Sequence, residues 1–161
     1  SNLFYSCAHC NNIKSDKYTN ILNCTKPTHK ILDWIKFEIK PFPLEIAKIT
    51  ALKNTPKVHN TVSLLNAVYN GTTELKKIEA INLRHKLVVE ISRFGELLQE
   101  YYFEPGLSDE EKKIIKRKIK RRLKPESPFS AFKIWIVKEN PVFKKEFYKR
   151  RKLNLQLSID F

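Results

Sequence analysis

At Asn54-Thr55-Pro56 the apolar residues change their spacing, and that switch constrains the fold more than any other feature of the sequence. Before it, Trp34, Lys36 and Glu38 alternate with Ile35, Phe37 and Ile39, the two-residue period of a half-buried strand. Pro41 and Pro43 interrupt the run between Ile31 and Ile49, which predicts a hairpin of two short strands joined by Lys40-Pro41-Phe42-Pro43. After the switch, apolar residues recur at three- and four-residue steps, so the remainder is expected to fold as helices.

Val58, Val62, Leu65 and Val68 or Tyr69 form one stripe, which Asn70-Gly71 closes with the usual left-handed stop. Thr73 offers a hydroxyl cap to a long helix carrying Leu75, Ile78, Leu87, Ile91, Phe94, Leu98 and Tyr101. Gly95 weakens that helix mildly, and Glu104-Pro105-Gly106 ends it. Ser108 followed by Asp109, Glu110 and Glu111 is a strong helix start, with acids in the first turn where the helix dipole favours them. Between Lys112 and Lys124 come nine basic residues and no acid, on a narrow seam of Ile115, Ile119 and Leu123. Pro125 stops this helix. Ser127-Pro128 is expected to start another with Phe129, Phe132, Trp135 and Ile136, and Asn140-Pro141 a last one with Phe143, Phe147 and Tyr148. These aromatics are spaced for helix faces and read as core, not as platforms for stacked bases. The tail, with Leu153, Leu155, Leu157 and Ile159 in alternation, is suited to adding a strand to a sheet edge, its own or a partner's.

Charge narrows the function classes. Lys+Arg 31 against Asp+Glu 17 leaves a formal charge of +14, which predicts attraction to nucleic acid or to an acidic protein surface. The bland reading of the basic helix is a solvated amphipathic face. Nine like charges without an acid repel one another, however, and phosphate backbone is their natural counter-charge. Lys112, Lys113, Lys116, Arg117, Lys120, Arg121 and Lys124 are the candidate contacts, and Lys144, Lys145 and the run 149–152 extend the same character. The sequence has no apolar span of bilayer length and no lipidation signal, so no membrane role is expected. Three cysteines, an odd number, point to a reducing, cytoplasmic compartment and away from a disulfide framework.

Cys7 and Cys10 stand one metal-ligand spacing apart in Asn2-Leu3-Phe4-Tyr5-Ser6-Cys7-Ala8-His9-Cys10-Asn11-Asn12-Ile13-Lys14. A short helix after the second thiol would aim Asn11 and Lys14 from one side. Two thiols are half of a structural zinc set. Cys24 is either a small residue buried at the edge of this module or a third ligand. His9, His29, His59 and His85 share no metal spacing and are read as surface or packing residues.

The pattern N-L-x3-C-x2-C-N-x2-K resembles the second half of the HNH (ββα-metal) endonuclease motif. The longer run through Asn20-Ile21-Leu22-Asn23 is similar to HNH proteins that accompany ATPases in bacterial anti-phage systems of the Septu and retron type. Val68-Tyr69-Asn70-Gly71-Thr72-Thr73 and Ser130-Ala131-Phe132-Lys133 also look like the C-terminal portion of such proteins. The resemblance implies that Cys7 and Cys10 hold structural Zn2+, that Asn2 fixes the active-site loop, and that Asn11 stands at the Mg2+ or Mn2+ position. It further implies a general-base His upstream of Ser1, the chain being the C-terminal part of a longer protein. Asn2 and Asn11 are then the catalytic candidates, Lys14 faces phosphate, and an ATPase partner controls cutting of DNA or possibly RNA.

The expected fold class is α+β and mostly α-helical: a partial ββα-metal module over 1–29, then a short β-hairpin and a basic helical domain over 30–161. The alternative function is a non-catalytic nucleic-acid-binding or protein-interaction module with a structural zinc knuckle.

Overall fold

The computed structural model describes residues 12–14, 17–24, 26, 28–40 and 43–148. Asn2, Cys7, His9, Cys10 and Asn11, the residues 149–152 and the alternating tail from Leu153 therefore lie outside the described residues. The described part is α+β and mostly helical: α1 (Ile31–Trp34), β1 (Ile35–Ile39), β2 (Ala47–Ala51), α2 (Pro56–Asn70), α3 (Glu74–Phe103), α4 (Asp109–Arg122), α5 (Ser130–Glu139) and α6 (Pro141–Phe147). It separates into two compact units, one up to His85 and one from Lys86, with α3 running through the division. No helix among the described residues is long and apolar enough to cross a membrane.

In the first unit β1 and β2 pair antiparallel, Ile35 opposite Ala51 and Phe37 opposite Ile49. Ile35, Phe37, Ala47 and Ile49 are buried, as the two-residue period requires. The strand starts later than the alternation suggests. Lys30 O accepts from Asp33 N and Trp34 N at 3.0 Å each, so Ile31–Trp34 winds into a helical turn before the chain extends. On the outer edge of β2, Asn66 accepts from Ile49 N (3.2 Å) and donates to Ile49 O (2.9 Å), and Asn70 donates to Ala47 O (2.8 Å). Two side chains of α2 thus satisfy the backbone that a third strand would otherwise take.

Thr55 caps α2 through Val58 N, with Pro56 in its first turn. The stop at Gly71 is where the sequence puts it but differs in kind. Its φ of 74° is positive, yet its ψ of 154° is extended, so it is not the left-handed cap. Glycine is needed because a Cβ there would stand 2.7 Å from the Lys77 backbone. Leu64, Ala67 and Val68 of α2 form a core with Ile13, and Leu22 N donates to the buried Thr61 Oγ1 at 2.8 Å. At the start of α3, Thr73 Oγ1 accepts from Lys76 N (3.4 Å), the hydroxyl cap expected there.

The expected apolar stripe of α3 is corrected in its first half. Leu75 is 79% exposed and Ile78 59%, whereas Ala80 is fully buried. From Leu87 onward the stripe holds, and Phe94 and Leu98 form the core of the second unit with Ile115, Ile119 and Val137. α5 also begins later than Ser127-Pro128 suggests. Ser127 N bonds Lys124 O (3.0 Å) and Ser130 N bonds Ser127 O (3.2 Å), successive turns that leave Phe129 at φ 53° before the helix starts at Ser130. Asn140 caps α6 through Val142 N (2.9 Å) and Phe143 N (3.2 Å).

Candidate nucleic-acid interface

The site is built on α4. Ser108 and Glu111 close a capping box: Ser108 N donates to Glu111 Oε2 (2.8 Å) and Glu111 N to Ser108 Oγ (3.3 Å). Three acids occupy the first turn and three bases, Lys120, Arg121 and Arg122, the last, so both ends complement the helix dipole. Ile115 and Ile119 are buried and fix which side faces in. Helical geometry then sets Lys113, Arg117, Lys120 and Arg121 on the opposite side, and these are exposed, as is Lys124 in the turn just after the helix. From Lys113 to Arg121 the stripe spans about 12 Å at about 1.5 Å per residue. Among the described residues its one ion pair, Lys113 Nζ to Glu110 at 3.5 Å, joins two side chains each 69% exposed and holds little of that charge. Lys112 and Lys118 are exposed beside the stripe.

Two cations of the helix are spent internally. Lys116 pairs with Glu146 of α6, whose Oε1 also accepts from Tyr101 Oη at 3.3 Å. The Lys116 hydrogen bond holds the Glu146 carboxyl below the usual carboxylate range, and Glu146 in turn raises the Lys116 ammonium. Arg122 Nη1 binds Glu90 Oε1 at 2.7 Å, and the same oxygen takes Lys133 Nζ at 2.9 Å. Lys133 is wholly buried and also donates to Ser127 Oγ at 2.6 Å. Burial pushes the Glu90 carboxyl up, but the Lys133 hydrogen bond and charge, joined by Arg122, more than reverse it. Burial depresses the Lys133 ammonium, with Glu90 opposing that shift.

No family model, curated protein or solved structure matches the chain.

Of the other residues singled out in the sequence, Lys14, Cys24, His29 and His59 belong to the first unit. Lys14 lies half-buried in a helical turn over 12–14 of the first unit. Cys24 is exposed, not buried: Lys26 N bonds Asn23 O (3.2 Å) and His29 Nδ1 accepts from Asn23 N (2.8 Å), and this turn directs the thiol outward. His29 thus shapes a loop, and His59 Nε2 contacts Asn54 Oδ1 at 2.9 Å. Among the described residues no group of three or more His, Cys, Asp and Glu side chains is placed to hold a metal ion. What sequence reasoning missed are the acids, Glu90 and Glu146, and the buried Lys133. A signal for Lys133 exists in Phe132-Lys133-Ile134-Trp135-Ile136-Val137, where a lone lysine in an apolar helix requires an acidic partner.

Proposed function

We propose that this chain is the nucleic-acid-holding part of a metal-dependent HNH endonuclease subunit, with α4 laid along the phosphate backbone of DNA or RNA. The observation that supports the reading best is the outer stripe Lys113, Arg117, Lys120 and Arg121, four cations on one helix face continued by Lys124 in the turn after it, with only the weak Glu110 pair against them among the described residues. Their side chains carry charge at helical intervals and no aromatic surface, a composition suited to phosphate contact.

In this reading Cys7 and Cys10 contribute half of a structural Zn2+ site, Asn2 holds the loop, and Asn11 reaches a catalytic Mg2+ or Mn2+. The divalent ion would polarise the scissile phosphate and stabilise the leaving oxygen, with the water-activating His supplied upstream. An ATPase partner would govern the reaction, as in the anti-phage proteins the opening motif resembles.

The test has a binding arm and a cleavage arm. The triple reversal Lys113→Glu, Arg117→Glu, Arg121→Glu is expected to weaken binding to a labelled DNA duplex at least tenfold at about 100 mM salt and to flatten its salt dependence. Unchanged binding refutes the interface. Mg2+- or Mn2+-dependent cleavage by the parent protein, lost in Asn11→Ala, supports the nuclease; binding without cleavage leaves the non-catalytic module.

A further inference from the structure

Glu90 and Glu146 both take a cation from α4, in opposite circumstances. Glu90 is 7% exposed and is tied to the buried Lys133, so nothing arriving from solvent can replace it. The Glu146 and Lys116 side chains are 34% and 36% exposed, within reach of an incoming anion. A carboxylate oxygen rests on Lys116 there as a phosphate oxygen would. Lys120, a member of the outer stripe, also acts electrostatically on Glu146.

The placement of α6 does not depend on this pair. Phe147 packs on Tyr101 at 5.4 Å between ring centroids and Phe143 on Tyr102 at 5.1 Å, so aromatic contact holds the helix in position. Glu146 is therefore more charge than the packing requires.

We propose that Glu146 is an internal stand-in for phosphate, which occupies Lys116, confines the phosphate-binding face of α4 to the outer stripe and lowers its affinity for polyanions. The inference rests on the phosphate-backbone reading given above. Neutralising Glu146 removes one repelling anion and releases one cation, whereas neutralising Lys116 alone leaves the carboxylate unpaired beside Lys120. The two substitutions are therefore predicted to act in opposite directions and to cancel when combined.

The experiment is a salt titration of the full chain with a fluorescein-labelled mixed-sequence DNA duplex between about 50 and about 200 mM NaCl. Glu146→Gln, which retains an oxygen for Tyr101, is expected to bind about five- to tenfold tighter at the low end, with a log–log salt slope steeper by about 0.9. Lys116→Gln alone should weaken binding, because it leaves the Glu146 carboxylate unpaired beside Lys120, and in the Glu146→Gln background should cancel most of the gain. Glu146→Ser, a second neutral variant, should reproduce the gain if glutamine disturbs the fold, with thermal midpoints as the check. If the parent protein binds and the stripe reversal abolishes binding, yet both neutral variants match the parent in affinity and slope, the Glu146 role alone is overturned. Absence of binding by the parent protein removes the phosphate reading and this inference with it.

Discussion

At the scale of single residues, the most consequential charge is Glu90, whose one oxygen holds both Arg122 and the buried Lys133. A buried ion pair contributes little net stability against an apolar replacement, but removing one partner strands the other. Glu90→Leu is expected to destabilise the second unit by about 3–5 kcal/mol in urea denaturation, and adding Lys133→Met should recover most of that loss. A single variant no less stable than the parent would show that Ser127 and solvent suffice for Lys133. The pH dependence has a definite sign. Because the folded carboxyl titrates below its unfolded value, its stabilisation is present above the usual carboxylate range and is lost as the pH falls through the lowered value.

At the scale of elements, the hairpin depends on α2. Asn66 takes both backbone groups of Ile49, so Asn66→Ala leaves a donor and an acceptor of β2 without partners. A loss of about 2–4 kcal/mol, one unmet group at a time, is expected from the shift of the denaturation midpoint. Parent-like stability would mean that water replaces the amide. The strands, the starts of α2, α3, α4 and α6, and the inward seam of α4 were legible because each follows from local chemistry: alternation at Ile35 and Phe37, the change of period at Asn54-Thr55-Pro56, the hydroxyls of Thr73 and Ser108, Asn140-Pro141 as a helix opening, and the spacing of Ile115 and Ile119. The first half of α3 was not. Periodicity reports that Leu75 and Ile78 share a face with later residues and cannot report that Ala80 is what the fold covers. The candidate site divides the same way. Its cations fall within one short stretch of sequence and are visible there, whereas the acids that neutralise Lys116 and Arg122 come from other helices, thirty or so positions away.

For the molecule as a whole, a formal charge of +14 makes self-repulsion a general term in its stability. Raising NaCl from about 10 to about 150 mM shortens the screening length from about 30 to about 8 Å and is expected to raise the thermal midpoint by about 2–4 °C. A lower midpoint would show that favourable pairs such as Lys116–Glu146 outweigh the repulsion they sit among. The amides of Asn66 and Asn70 have a consequence at this scale too. They close the outer edge of β2 at Ala47 and Ile49, so a strand donated there, from this polypeptide or another, could take those backbone groups only by first displacing two amides of α2.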